Sequence, residues 1–181
     1  MKRSESGYTL IELLAVMFVM VTVGLIVATI LVSALRGTNK TNTIDTIRKN
    51  GNYTILQVSK MLEFAQSFGG VSTNGTTYTT DCSIPSTRYS YIKIISFDNM
   101  ETIFSCNMSS SPATISSGSA SLINTSEVLL TQCYFTCSRN ITVPPTIGIN
   151  FILSQKNANA PFEKRETINF QTSVILRNLN K

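Results

Sequence analysis

The chain has 181 residues, a formal net charge of +5 and only 14% charged residues, so it is mildly basic without any concentration of charge. It contains no histidine, the side chain that most often serves as a general acid or base. Neither a glycine-rich phosphate loop nor a run of basic residues occurs in it. This inventory argues against an enzyme, implies no cofactor, and makes nucleic-acid binding unlikely.

The N-terminal region joins a short hydrophilic segment, residues 1–7, to a long apolar one. Leu13 to Leu35 is a run of 23 residues without a charge, and roughly 20 apolar residues suffice to cross a bilayer. Glu12 lies at the edge of this run, where a carboxylate costs about 2.5–3.5 kcal/mol if it is carried to mid-membrane. An acid in this position therefore calls for a functional reason.

The string Gly7-Tyr8-Thr9-Leu10-Ile11-Glu12, set directly before the apolar run, resembles the type III signal of bacterial type IV prepilins and pseudopilins. The resemblance implies that a prepilin peptidase cuts after Gly7 on the cytoplasmic side of the membrane. It further implies that Tyr8 becomes the N-methylated terminus and that Glu12 drives assembly. Most members carry Phe at the position of Tyr8, and the change keeps the aromatic ring.

The same resemblance implies a structural subunit of a type IV pilus, or of a filament of the type II secretion or competence type. Other pilin subunits and an inner-membrane assembly platform would be its partners. Before assembly it would be a single-pass protein of the cytoplasmic membrane with its C-terminal domain outside, and afterwards part of an extracellular or periplasmic filament. In the assembled helix bundle, Glu12 would pair with the cationic amine of Tyr8, because an unpaired charge there is penalised.

An ordinary single-span anchor is the strongest alternative, because length and charge fit it equally well. It leaves Gly7 and Glu12 without a role. A membrane-anchored adhesin or binding protein that does not polymerise is the corresponding functional alternative. An exported enzyme is a more distant one.

The orientation of the span is a second open point. Basic residues are more frequent after the apolar run than before it, and the positive-inside rule would then place the C-terminal side in the cytoplasm. We expect the opposite orientation, because the basic residues after the run are spread along a helix and because the cysteines favour export. The residues concerned are Lys2 and Arg3 before the run, and Arg36, Lys40, Arg48 and Lys49 after it.

Hydrophobic periodicity predicts one helix from Tyr8 to about Phe68, with two different halves. The half at 8–35 is apolar on all sides, as a membrane-spanning and assembling helix requires. The half at 36–68 is amphipathic, and we expect its apolar stripe to pack on its own domain. Gly69-Gly70 is predicted to end the helix. The stripe comprises Ile44, Ile47, Gly51, Ile55, Val58, Leu62, Ala65 and Phe68.

Residues 69–181 are predicted to form a disulfide-bonded antiparallel β domain with four or five strands. Asp98-Asn99 is typical of a hairpin turn, whereas 71–87 and 107–126 are predicted to be loops. A long N-terminal helix packed on an antiparallel sheet is an α+β fold, and the resemblance implies the same pilin-like architecture. The predicted strands are Tyr89–Phe97, Glu101–Cys106, Val128–Cys137, Ile147–Gln155 and Thr167–Arg177.

Four cysteines, Cys82, Cys106, Cys133 and Cys137, all follow the apolar run. An even number in an exported domain predicts two disulfides. A metal site is the alternative, although the spacing contains no Cys-x-x-Cys pair. Three pairings are possible. A Cys133–Cys137 bridge would require a bend, because four residues of straight strand extend about 13 Å and bridged Cα atoms lie within about 7 Å.

Overall fold

The structure is a computed structural model that describes residues 9–84, 87–139, 144–156 and 166–176. Its first element is a helix, α1, that runs without interruption from Leu10 to Glu63. The predicted single long helix is confirmed, and so is the α+β class. By contact the chain divides into two compact units, Met1–Thr41 and Asn42–Lys181, and α1 contributes residues to both.

In the described ranges, eight strands follow α1 in two antiparallel sheets. The first sheet has the order β1-β2-β3-β4-β5 and the second has the order β6-β7-β8, so each sheet is built from consecutive neighbours. The strands are β1 (Ser67–Ser72), β2 (Tyr91–Ile95), β3 (Glu101–Asn107), β4 (Thr114–Ser117), β5 (Ala120–Ser121), β6 (Val128–Ser138), β7 (Thr146–Gln155) and β8 (Thr167–Ile175).

The helix ends five residues earlier than predicted, and Gly69-Gly70 does not end it. The backbone N–H of Gln66 already donates to the carbonyl of Ile95 at 2.8 Å, so the chain has joined the sheet by this point. The two glycines lie inside β1, where the register shifts between Phe68 and Gly70. Gly70 has a φ of +116°, and a Cβ there would lie 2.7 Å from the carbonyl oxygen of Thr79. These glycines therefore serve a strand irregularity and a close backbone approach.

The predicted strands are all confirmed over the described residues, but two predicted loops also contain strands. The serine-rich stretch 107–126 holds β4 and β5, and its residue Ile115 pairs with Cys106 and is fully buried. The stretch 71–87 begins with the last two residues of β1. Short strands with a single buried apolar residue have too little alternation to be recognised among serines and threonines.

The amphipathic half of α1 buries one face in the second unit. Its buried residues recur at steps of three or four, as one face of a helix requires. Gly51 is among them because the ring of Phe170 in β8 occupies the space in which a Cβ would lie. The predicted stripe is therefore confirmed at its centre. The buried residues of the helix are Ile47, Gly51, Thr54, Val58 and Leu62.

Polar contacts fix the same half of the helix to the segment before β6. The buried hydroxyl of Thr54 donates to the carbonyl of Leu122 at 2.9 Å. The side chain of Asn50 accepts a hydrogen bond from the backbone N–H of Asn124 at 3.0 Å and donates to the carboxylate of Glu127 at 3.3 Å. Asn50 and Thr54 thus specify where the sheet domain lies along this part of α1.

Candidate functional site

The first candidate site is the apolar surface of α1 in the first unit. Its large apolar side chains are all substantially exposed, from 48% at Val32 to 80% at Leu10. The most apolar window of this helix has a mean hydropathy of 2.8, and none of it is buried. At 1.5 Å per residue the uncharged run is about 34 Å long. Length and composition suit a membrane anchor near the N-terminus.

Threonines within this segment do not interrupt its apolar surface. The hydroxyl of Thr22 donates to the carbonyl of Val19 at 2.9 Å, and that of Thr29 donates to the carbonyl of Ile26 at 2.7 Å. Each hydroxyl is therefore satisfied by the backbone of its own helix, as a lipid-exposed hydroxyl must be. The segment can be transferred to an apolar environment without leaving a donor unpaired at these two positions.

Glu12 is part of the N-terminal cap of α1, a role that the sequence analysis missed. The backbone N–H of Glu12 donates to the hydroxyl of Thr9 at 3.4 Å. In return, the Glu12 carboxylate accepts from the backbone N–H and the hydroxyl of Thr9, both at 3.5 Å. These reciprocal contacts form a capping box with long hydrogen bonds. Its Thr-x-x-Glu spacing is visible in the sequence as Thr9-Leu10-Ile11-Glu12.

Glu12 also stands at one end of a shallow groove along the helix. The groove has a volume of about 410 Å³ and follows one face of the helix for three turns. Apart from Glu12 its walls are apolar, so a second apolar helix could occupy it. The residues beside Glu12 that line the groove are Ala15, Val16, Val19, Met20 and Val23.

Two of the predicted site residues, Gly7 and Tyr8, lie outside the described residues. The cleavage after Gly7 and the methylation of Tyr8 therefore stay predictions from the sequence. The same holds for the boundary of the 1–7 leader. Among the predicted residues of this site, only Glu12 has a described position.

The second candidate feature is the pair of disulfides in the second unit. Cys82 pairs with Cys137, and Cys106 pairs with Cys133, at Cα separations of 5.1 and 5.5 Å. The prediction of two disulfides is confirmed, and the metal alternative is wrong for these four residues. Both bridges end on the buried face of β6, at positions four residues apart. A Cys133–Cys137 bridge is excluded because both residues lie within one strand.

The two bridges connect parts of the domain that the sheets alone do not join. Cys106 lies in β3 of the five-stranded sheet, whereas Cys133 lies in β6 of the three-stranded sheet. Cys82 ties the segment between β1 and β2 to the end of β6. One further link between the sheets is the pair of backbone hydrogen bonds that join Tyr89 and Phe135, each at 2.8 Å.

The hairpin between β2 and β3 carries two acids, Asp98 and Glu101. Asp98 accepts a hydrogen bond from the backbone N–H of Met100 at 3.1 Å, and Asn99 adopts a positive φ of 61°. Glu101 lies 3.5 Å from the ammonium of Lys93. These are the contacts of a turn and of a cross-strand ion pair, as the turn interpretation predicts.

Lys93 also lies over the ring of Tyr78, at 4.6 Å from the ring centre. The phenol oxygen of Tyr78 is buried, and it has no hydrogen-bond partner among the described residues. Desolvation, together with the nearby charge of Glu101, raises the pKa of Tyr78 above its ordinary value. Tyr78, Lys93 and Glu101 thus form a cluster that stabilises the pairing of β2 with β3. These three side chains offer no metal ligand set and no nucleophile.

Comparison with known proteins adds no family to this description. No family model, no curated protein and no solved structure matches the chain.

Proposed function

We propose that this chain is a structural subunit of a type IV pilus or of a related secretion or competence filament. The proposal rests on the sequence 7–12 and its position before the apolar run. The observation that supports it most directly is the first unit itself, an exposed apolar helix with a single acid at its N-terminal end. A filament core would cover this surface after it leaves the bilayer.

The proposed assembly chemistry is a charge pair in an apolar place. Cleavage after Gly7 would free the amine of Tyr8, whose reference pKa is about 7.7–8, so that it is largely cationic at neutral pH. The carboxylate of Glu12, in the incoming or the neighbouring subunit, would form an ion pair with this amine inside the helix bundle. N-methylation keeps the amine cationic and so preserves the pair. Subunits that lack the acid would leave a buried amine without a partner, which is costly.

The capping role of Glu12 allows a sharper test of this chemistry than a simple deletion. Glutamine can fill the same position of a capping box, so Glu12→Gln keeps the cap and removes the charge. Thr9→Ala removes the cap and keeps the charge. If the charge drives assembly, Glu12→Gln abolishes filament formation, whereas Thr9→Ala assembles.

The measurement is the recovery of sheared surface filaments from cells in which each variant is the only copy. Intact mass should show that Glu12→Gln and Thr9→Ala are both cut after Gly7, because cleavage does not need the carboxylate. Gly7→Val is the matched processing control and should retain residues 1–7. Normal incorporation of Glu12→Gln into filaments would contradict the proposed charge pair. A wild-type product that keeps its first seven residues would favour the plain membrane anchor instead.

A further inference from the structure

The dipeptide Asn-Gly occurs twice in the chain, at Asn50-Gly51 and at Asn74-Gly75. The first copy lies inside α1, whereas the second lies in a loop that follows β1 and exposes Asn74. Glycine has no side chain to shield its backbone nitrogen, so this nitrogen can approach the side-chain amide of the preceding asparagine. The two copies therefore place one chemistry in two different surroundings.

The loop 72–78 is closed at its base and turns at Gly75. The backbone N–H of Val71 donates to the carbonyl of Thr79, and the N–H of Thr79 donates to the carbonyl of Val71, both at 2.9 Å. Gly75 has a φ of +78°, and a Cβ there would lie 3.1 Å from the ring of Tyr91. A side chain is disfavoured at this position on both counts, so the fold itself requires a glycine after Asn74.

The side-chain oxygen of Asn74 accepts three hydrogen bonds. The backbone N–H groups of Thr76 and Thr77 donate to Oδ1 at 3.0 and 3.1 Å. The hydroxyl of Ser72 donates to the same atom at 2.9 Å. The two backbone donors identify this atom as the oxygen of the amide. Three donors on one carbonyl oxygen would stabilise negative charge that develops there, as the donors of an oxyanion hole do.

The hydroxyl of Ser72 also contacts the backbone nitrogen of Gly75. The N–H of Gly75 donates to Ser72 Oγ at 3.0 Å. Ser72 is only 2% exposed, so its hydroxyl is held in place beside the loop backbone. One hydroxyl thus accepts a hydrogen bond from the nitrogen and donates one to the carbonyl oxygen of the amide that this nitrogen could attack. Proton transfer between the two needs this arrangement.

We propose that Asn74-Gly75 is a self-modifying site, at which the folded chain converts Asn74 to a cyclic imide and then to aspartate or isoaspartate. In the first step the nitrogen of Gly75 forms a bond to Cγ of Asn74. The nitrogen passes its proton to Ser72 Oγ, and Ser72 passes its own proton to Asn74 Oδ1. The bond from Cγ to Nδ2 then breaks, the proton on Oδ1 moves to Nδ2, and ammonia leaves.

Water completes the reaction, and no cofactor or oxidant is needed. A water molecule adds to one of the two imide carbonyls, the C–N bond there breaks, and the Gly75 nitrogen regains a proton. Hydrolysis at Cγ gives aspartate at position 74, whereas hydrolysis at the backbone carbonyl gives isoaspartate, in which the backbone runs through the side chain. Asn74 is exposed, so water can enter and ammonia can leave. Either product adds a carboxylate that the original sequence lacks.

The pair Asn50-Gly51 serves as an internal control. Gly51 is buried in α1, where its N–H is directed at the carbonyl of Ile47 in the helical pattern. The amide nitrogen of Asn50 donates to the carbonyl of Thr46 at 3.1 Å and to the carboxylate of Glu127 at 3.3 Å. Attack on Cγ of Asn50 would therefore require this turn of the helix to open.

The test compares the two sites in the folded full chain in detergent and in the same chain unfolded by denaturant and reductant, at one pH and temperature. Peptide mapping by mass spectrometry follows the loss of ammonia, and enzymatic methylation of isoaspartate identifies the product that only the imide can give. In the unfolded chain the two sites should react at similar rates.

Folding should change the two rates in opposite directions. Asn74 should react at least about tenfold faster in the folded chain, since positioned groups and preorganised donors accelerate an intramolecular attack. Asn50 should react at least about tenfold slower, because its reaction waits for local opening of the helix. Loss of ammonia from Asn74 that is no faster in the folded chain than in the unfolded one would overturn the inference.

Two variants at position 72 test the proton transfer. Ser72→Ala removes the hydroxyl and should slow the folded reaction at Asn74 by about tenfold or more, whereas Ser72→Thr keeps a hydroxyl and should retain most of the rate. Neither variant should change the rate in the unfolded chain, and thermal melts show whether each is folded. A folded Ser72→Ala variant that reacts as fast as the wild type would remove Ser72 from the mechanism. All of these measurements are made on the isolated chain, so their outcome does not depend on filament formation.

Discussion

The two halves of α1 are both helical, but they differ in how much of their apolar surface is exposed. From Leu10 to Leu35 the helix exposes apolar side chains on all sides, whereas from Ile47 to Leu62 it buries one face against its own domain. Both halves belong to one uninterrupted helix. The difference teaches that the environment supplied by other molecules must stabilise the first half, while the second half is stabilised within the chain.

The largest expected effect on the second unit comes from removing a disulfide. Replacing both Cys82 and Cys137 by Ser avoids an unpaired thiol and should lower the free energy of unfolding by about 4 kcal/mol on the chain-entropy estimate. Denaturant unfolding of the full chain in detergent, followed by the signal of the β domain, measures it. The helix content of the first unit should not change.

Its companion, the pair Cys106→Ser and Cys133→Ser, should cost a similar amount, because the two bridges span 55 and 27 residues and the entropy grows only slowly with loop length. If one double variant lost all β structure while the other was as stable as the wild type, the expectation of similar costs would be contradicted.

A leucine in each half of α1 gives the next largest contrast. Leu62 is fully buried and Leu25 is 64% exposed. Leu62→Ala should destabilise the second unit by about 2–5 kcal/mol through lost burial and the cavity that remains. Leu25→Ala should leave the unfolding midpoint of the second unit unchanged. Equal effects in the same denaturant titration would mean that the two halves do not differ in the way described.

Two glycines of α1 provide a matched pair with a smaller expected effect. A Cβ at Gly51 would meet the ring of Phe170, whereas a Cβ at Gly37 would meet nothing within 4 Å. Gly51→Ala should therefore cost about 1–3 kcal/mol through overpacking. Gly37→Ala should raise helix stability by up to about 1 kcal/mol. A melting temperature raised by both substitutions would show that Phe170 can move aside at no cost.

The smallest predicted effect concerns alkaline pH. The pKa of Tyr78 is raised in the folded state, so the unfolded chain loses this proton first. Stability should then fall as the pH rises above about 10, the reference value of tyrosine. Tyr78→Phe removes both the ionisation and a buried hydroxyl without a partner. It should be near neutral at pH 7 and should reduce the loss of stability that thermal melts show as the pH rises above about 10.

The sequence was sufficient for features that follow a regular period or an even count. The long helix, its two halves, the oxidised state of the cysteines and five of the described strands all follow from such patterns. These strands are β2, β3, β6, β7 and β8. The pairing of Cys82 with Cys137 could not be predicted, because it depends on how β6 lies beside the first sheet. The reason for a glycine at position 51 could not be predicted either, since only the fold shows that the ring of Phe170 fills the space of a Cβ there.

Glu12 has a second role that the sequence also contains. Its spacing from Thr9 is that of a capping box, and this spacing coincides with the prepilin-like motif. Ile115 illustrates the opposite case. A lone apolar residue among serines has no periodicity, so its burial depends entirely on pairing with Cys106 across the sheet.

The Cys106–Cys133 loop is nested within the Cys82–Cys137 loop, so the outer bridge limits how far the domain can be stretched by a force on the chain ends. A pull on the two ends of the chain would bypass the segment that joins Cys82 to Cys137, which are 55 residues apart in sequence, even if every strand came apart. At about 3.4 Å per residue, roughly 190 Å of contour length is withheld from stretching. In single-molecule pulling, the unfolded chain should therefore gain that contour length only after a reductant is added. The oxidation state of the cysteines thus sets the maximum length of the stretched subunit.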